Sequence, residues 1–204
     1  MANDEAVFVQ VIEGKVTDEA GLRRLLQRWD AEVMPDTTGF LGATAGVAAD
    51  GTAILFVRFV DEPAAVWNRE RPDHGAWWRE LTEAFDGAPT AHESSDVALL
   101  LAGGSDDAGF VQVVRASTPD RAKIDALMTP ERIAEMRRTR PDLIGSIRVW
   151  LADGSFVEAA YFTSESAARD AEGSDDYDDA EAPFTEAYGP MTFLDLPAPI
   201  FLSP

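Results

Sequence analysis

One of the two histidines of the chain stands in a cluster of aromatic residues with helical spacing. His74, Trp77 and Trp78 occupy positions i, i+3 and i+4, so a helix would place all three on one face. A histidine with a pKa near ~6.5 can accept or release a proton at neutral pH. The cluster is therefore either a packing stripe between helix and sheet or the rim of an apolar pocket. On the second interpretation His74 is the catalytic base, and Trp77 and Trp78 are walls that bind substrate.

Matching glutamines interrupt two apolar, strand-like segments. Gln10 lies in VFVQVIE, where strand alternation places it on the same face as Phe8 and Ile12, and Gln112 lies in FVQVV. Because a buried amide needs hydrogen-bond partners, Gln10 is either satisfied by neighbouring strands or lines the pocket and orients a substrate. The other histidine, His92, is expected to pack at the surface or at a strand end.

The usual signatures of cofactor chemistry are missing from the sequence. The chain has no cysteine and no HExxH, CxxC, GxSxG or P-loop pattern. The glycine-rich segment 103–109 leads into a strand rather than a helix, so it is predicted to be a linker. The acidic tract 172–181 lacks the alternating carboxylates of a calcium loop and is predicted to be a solvated loop. We therefore expect no cofactor and no metal.

The charge of the chain limits its partners. The net charge is −20, from 37 acidic and 17 basic residues, and such a surface repels nucleic acid and anionic membranes. No apolar run is long enough to span a bilayer, and the first residues show no signal-peptide pattern. The expected partner is a small molecule, and the expected location is the cytoplasm.

The two halves of the sequence repeat each other. FVQV occurs at 8–11 and again 102 positions later, and Ala-Asp-Gly occurs at 49–51 and 103 positions later. TEAF at 82–85 returns as TEAY, also 103 positions later. Several matches in the same order at nearly one offset indicate that the chain is a tandem duplication.

Each half predicts the element order β-α-β-β-α-β. The apolar periodicities and turn signals predict, in the first half, a strand at 7–13, a helix capped by Thr17, strands at 40–49 and 52–60, helices at 62–69 and 73–85, and a strand at 97–102. The second half predicts a strand at 110–116, a helix from 118 that restarts at 129, strands at 143–152 and 155–163, helices at 164–172 and 182–188, and a strand at 191–196. The predicted domains are 1–102 and 110–204, joined by 103–109. The fold class is α+β, with two ferredoxin-like repeats.

This pattern resembles the dimeric α+β barrel superfamily and, within it, the antibiotic-biosynthesis-monooxygenase-like branch. The resemblance covers nearly the whole chain as two fused copies and includes the segment RPDHGAWWRELTEAF at 71–85. It implies that the two sheets face each other in an intramolecular pseudo-dimer, which could pair again as a homodimer. Haem-degrading members of the superfamily carry an Asn on the first strand and a Trp and a His near the second helix. Gln10, Trp67 and His74 stand at similar places, with Gln in place of Asn.

Three functions follow from the residues and the resemblance. The first is a cofactor-independent monooxygenase for a small aromatic substrate, with His74 as proton acceptor, Gln10 as orienting amide, and Trp67, Trp77 and Trp78 as walls. The second is a small-molecule binding protein without catalysis, and the third is a haem-binding protein. At the offset of 103 the His74 cluster is replaced by Tyr177, Ala180 and Glu181. We therefore expect any ligand-sized cavity to lie in the first half.

Overall fold

The first repeat forms the predicted elements in order and adds a strand, β4, that the sequence did not predict. The computed structural model describes residues 7–173 and 175–204, with the side chains of all of these except 175–181. The elements of the first half are β1 (Phe8–Lys15), α1 (Glu19–Glu32), a 3₁₀ helix (Met34–Asp36), β2 (Phe40–Val47), β3 (Thr52–Phe59), α2 (Glu62–Arg69), α3 (Pro72–Glu83), β4 (Thr90–Ser94) and β5 (Val97–Leu101). Helix α1 is capped by Asp18, one residue after the predicted Thr17, because the Asp18 carboxylate accepts from the backbone N–H of Gly21 at 2.8 Å.

The second repeat has the same order, with its first helix divided in two. Its elements are β6 (Phe110–Ala116), α4 (Arg121–Leu127), α5 (Pro130–Thr139), β7 (Leu143–Trp150), β8 (Phe156–Phe162), α6 (Glu165–Glu172), α7 (Asp175–Tyr188), β9 (Met191–Leu196) and β10 (Ile200–Leu202). The predicted restart at Thr129 is confirmed, because its hydroxyl caps α5 by accepting from the backbone N–H of Arg132 at 3.2 Å.

Both repeats build one sheet around the same hairpin. The strand orders are β10-β2-β3-β1-β4 and β5-β7-β8-β6-β9, so the two central hairpins, β2-β3 and β7-β8, occupy equivalent places. Gly51 and Gly154 turn these hairpins with φ of +81° and +86°. Such positive angles are accessible to glycine without steric cost, which explains the repeated Asp-Gly pair. The predicted α+β class with two ferredoxin-like repeats is confirmed.

A short strand at the end of each repeat joins the sheet of the other repeat. Strand β5 pairs beside β7, and β10 pairs beside β2, with Phe201 opposite Thr44. The chain accordingly divides into two compact units: the first holds the described residues up to Val97 together with Ala198–Pro204, and the second holds Ala98–Pro197. The predicted domains, 1–102 and 110–204, follow the sequence repeats and do not account for the exchange of β5 and β10.

The strand that closes the first sheet differs from the prediction. The sequence predicts that a strand at 97–102 closes this sheet. In the structure β4 closes it instead, because β4 lies beside β1 and places Glu93 opposite Gln10. The sequence of β4, TAHES, is polar because β4 is an edge strand whose residues are mostly exposed. The apolar run VALLL forms a strand as predicted, but in the second sheet.

The helices of the first unit pack one face of its sheet. Leu22, Leu26, Trp29 and Val33 are buried, as the periodicity of α1 predicts. Within the described residues, no helix combines the length and apolar character needed to cross a membrane. That the two sheets face each other in one barrel, and that the chain pairs again as a homodimer, stay predictions.

Candidate functional site

A cavity of about 200 Å³ lies in the first unit, between its sheet and the helices α1 and α3. Apolar and aromatic side chains form most of its lining, and a few polar groups join them. The lining residues are Gln10, Ile12, Leu26, Trp29, Phe40, Ala43, Leu55, Val57, Phe59, Arg69, His74, Gly75, Trp77, Trp78, Ala91, Glu93 and Leu202. We call this space the first cavity. Its apolar lining with a few polar groups is the composition typical of a small-molecule site.

A chain of aromatic rings forms one wall of the first cavity. Trp29 lies 4.6 Å from Phe40 and 6.2 Å from Trp77, measured between ring centroids, and Trp77 lies 6.1 Å from the His74 ring. The indole N–H of Trp77 donates to the backbone carbonyl of Leu25 at 2.9 Å. Because this bond fixes the orientation of the ring, Trp77 is both a core residue and a rigid wall. This helix face therefore packs in the core and also lines the first cavity, and its role in binding stays a prediction.

His74 is the titratable ring on that wall. Its side chain is half-buried, and its Nδ1 is buried without a hydrogen-bond partner among the described residues. Burial lowers the pKa of His74 below its ordinary value, and the positive charge of Arg71 lowers it further. Asp73 acts in the opposite direction, as the weaker influence. His74 is therefore neutral at pH 7, in the state that accepts a proton.

A polar edge that the sequence did not reveal closes the first cavity. The amide Nε2 of Gln10 donates to Glu93 Oε1 at 2.7 Å, and Arg69 Nη1 donates to the same oxygen at 2.7 Å. Since the carboxylate accepts both bonds, Gln10 is satisfied across the strands and also lines the cavity. The duplication carries a signal for this edge. Gln112 and Asp195 each lie 102 positions after Gln10 and Glu93, and Gln112 donates to Asp195 at 2.9 Å.

The remaining candidates lie in two different environments. Trp78 is half-buried and lines the first cavity. Trp67 was predicted to be a wall, but its side chain is 52% exposed and does not line the cavity. Helix α2 presents Ala65 and Asn68 to the core, so the helical rotation turns Trp67 outward. His92 lies exposed on β4, where surface packing was expected.

A second cavity, of about 190 Å³, lies in the second unit. The expectation that any ligand-sized cavity lies in the first half is therefore wrong. That expectation rested on Tyr177, Ala180 and Glu181, whose side chains fall outside the described residues. In the acidic tract 172–181, predicted to be a loop, Glu172 ends α6 and the backbone of 175–181 is helical in α7, while residue 174 lies outside the described residues. We call this second space the second cavity.

The described residues offer no ready place for a metal. No three side chains among His, Cys, Asp and Glu come together there with the spacing of a metal site. The first cavity holds one such ligand, His74, on its aromatic wall and a second, Glu93, on its polar edge. The Oε1 atom of Glu93 already accepts hydrogen bonds from Gln10 and Arg69.

Three solved structures share the fold over nearly the whole chain. A protein of Fusobacterium nucleatum described as a "putative monooxygenase" is 9% identical, with a TM-score of 0.74 over 98% of this chain and 95% of its own. A protein of Lactobacillus acidophilus with the same description is 10% identical, with a TM-score of 0.72 over 98% and 100%. An "anthrone oxidase-like protein" is 12% identical, with a TM-score of 0.68 over 100% and 95%.

These likenesses establish the fold and no more. No protein-family model matches the chain, and no curated protein matches it in sequence. The fold of the chain is monooxygenase-like, as the resemblance of the sequence implies. At identities of 9–12% the neighbours' descriptions do not transfer an activity to this chain.

Proposed function

We propose that the chain is a monooxygenase-like enzyme that oxidises a small aromatic substrate with O₂ in the first cavity, without a bound cofactor. The observation that carries the proposal is the combination of an apolar, aromatic cavity with one half-buried histidine on its wall. The fold shared with proteins described as monooxygenases and as anthrone oxidase-like agrees with this chemistry.

The chemistry requires little from the protein. An electron-rich aromatic substrate with an acidic C–H bond loses that proton to His74, and the resulting carbanion gives its electrons to O₂. For a methylene group, one oxygen atom becomes the carbonyl oxygen of the product and the other leaves as water. The substrate supplies all the electrons, so no reductant is needed.

The lining residues have different roles in this reaction. Trp77 and Trp78 bind the flat substrate and exclude water, which favours proton transfer to the uncharged His74. Gln10 orients the site indirectly, because its amide holds Glu93 at the polar edge. Trp67 has no part in this arrangement, since its ring is exposed on the outer side of α2.

Aerobic turnover of an anthrone tests the proposal, with O₂ uptake and quinone formation as the two readouts. The full chain should consume one O₂ for each anthrone oxidised. We expect His74→Ala to lower kcat at least about 100-fold, the ordinary contribution of a general base. The melting temperature should stay nearly unchanged, because the ring is only half-buried.

The chain offers a matched control for this experiment. His92→Ala removes the other histidine from an exposed edge strand and should leave turnover intact. If His74→Ala keeps full turnover, His74 is not the base. If the unmodified chain binds anthrone in the first cavity but consumes no O₂, the first cavity is a binding site without catalysis.

A further inference from the structure

The second cavity differs from the first in the chemistry of its sheet wall. Ser146 and Glu158 line the second cavity, where Ala43 and Leu55, 103 positions earlier, line the first. Behind them Arg148 is 2% exposed and stands where the first repeat has Ala45. Since both repeats fold, the fold itself does not require charged residues at these positions.

The new side chains form one connected hydrogen-bond network. Arg148 Nε donates to Glu158 Oε2 at 2.8 Å, and the hydroxyl of Ser146 donates to the other carboxylate oxygen. Arg148 also donates to the hydroxyl of Tyr188, and its guanidinium carbon lies 4.8 Å from the Phe156 ring centroid and 4.9 Å from that of Tyr188. Burial of such a pair is costly unless every partner is held in place, as these are.

This network determines what the second cavity can recognise. The proton of Ser146 is engaged by Glu158, so the serine oxygen offers only lone pairs to a ligand. The carboxylate of Glu158 also offers only lone pairs. Two other charged lining residues are already paired: Arg140 with Asp142 at 2.7 Å and Glu172 with Arg169 at 3.0 Å. Ser146 and Glu158 therefore present hydrogen-bond acceptors to the cavity, whereas Gln112, on the neighbouring strand β6, donates an amide N–H to Asp195.

Most of the remaining lining is apolar and adaptable. Met128, Met136 and Met191 line the second cavity together with aromatic and aliphatic side chains. Methionine fits apolar groups of different shapes, because its side chain is flexible and polarizable. A cavity of about 190 Å³ is sufficient for one substituted aromatic ring, since cavities near ~150 Å³ bind benzene.

We propose that the second cavity is a separate ligand site for an apolar molecule whose polar head is a hydroxyl group, and that Ser146 and Glu158 accept the hydrogen bond of that hydroxyl. The duplication has thus produced two sites of different specificity in one chain. This proposal does not depend on oxidation in the first cavity, because the two cavities share no lining residue.

Methionine-methyl NMR of the full chain tests this site directly. The chain has five methionines, of which Met128, Met136 and Met191 report on the second cavity and Met34 packs against the core of the first unit. We expect 4-ethylphenol to shift the three second-cavity signals in a saturable way. Its methyl ether, 4-ethylanisole, has the same apolar body without the donor and should bind about 3- to 10-fold more weakly.

Two substitutions complete the test. Ser146→Ala removes one acceptor, introduces the residue that the first repeat carries there, and should weaken 4-ethylphenol about 3- to 10-fold. Ala43→Ser makes the converse change in the first repeat and should leave the second-cavity signals unaffected. The proposal is overturned if 4-ethylphenol fails to shift those signals, if the ether binds as tightly, or if Ser146→Ala has no effect. The comparison of phenol with ether uses the unmodified chain, so it stands even if a variant folds poorly.

Discussion

The buried ion pair of the second unit gives the sharpest prediction about stability. The side chains of Arg148 and Glu158 are 2% and 8% exposed, and their charged atoms approach to 2.7 Å. Burial opposes the charge of Arg148, but the adjacent Glu158 carboxylate raises the pKa of the guanidinium overall. Glu158→Leu places the residue of the first repeat at this position and leaves a buried cation without its partner. We expect it to lower the free energy of unfolding of the second unit by about 3–5 kcal/mol.

The double variant Arg148→Met, Glu158→Leu separates the cost of the lone charge from the loss of packing. It removes both charges while keeping most of the apolar volume, so it should be at least about 2 kcal/mol more stable than Glu158→Leu alone. Amide hydrogen exchange measures this locally, with β7 and β8 as the affected strands and β2 and β3 as an internal reference. Additive effects of the two substitutions, or a loss below about 1 kcal/mol for Glu158→Leu, would refute the reasoning.

Three further outcomes follow from the first unit. Trp29→Ala empties space beside an existing cavity and should cost about 3–5 kcal/mol in denaturant unfolding, whereas a cost below about 1 kcal/mol would contradict the packing of α1. Asn68→Ala should cost about 2–3 kcal/mol by the same measurement, because the buried amide of Asn68 bonds both backbone groups of Thr38, at 3.1 and 2.7 Å; an unchanged midpoint would exclude this role. The folded-state pKa of His74 is lowered, so its contribution to stability is present above about pH 6.5 and declines as the pH falls toward the lowered pKa. His74→Ala should therefore lose part of the pH dependence of unfolding between pH 7.5 and 5.5, and His92→Ala should retain it.

Features encoded locally were predictable from the sequence. The apolar spacing of Leu22, Leu26 and Trp29 predicts which face of α1 is buried, because residues three or four positions apart lie on the same side of a helix. The Asp-Gly pairs give the hairpins, since Gly51 and Gly154 supply the positive φ that the turn needs. The helix face that carries His74 and Trp77 was also correctly placed beside the sheet.

Features that depend on distant partners were not predictable. The hydrogen bond between Gln10 and Glu93 depends on the register of an edge strand, and the polar sequence of that strand resembles a loop. Trp67 was misplaced because one hundred degrees of helical rotation separates it from the buried Asn68. Leu202 lines the first cavity although nearly the whole second repeat lies between it and the rest of the lining, and no local pattern encodes such a pairing.

The exchange of β5 and β10 also affects the order in which the two cavities are completed during translation. The ribosome synthesises the first repeat before the second, and a chain of two repeats would ordinarily fold in that order. Strand β10 and Leu202 are synthesised last in the second repeat, so the first sheet has an open edge along β2 until then. Strand β5, by contrast, is already synthesised when β7 emerges to meet it. The repeat that is translated first is thus the one whose cavity is completed last.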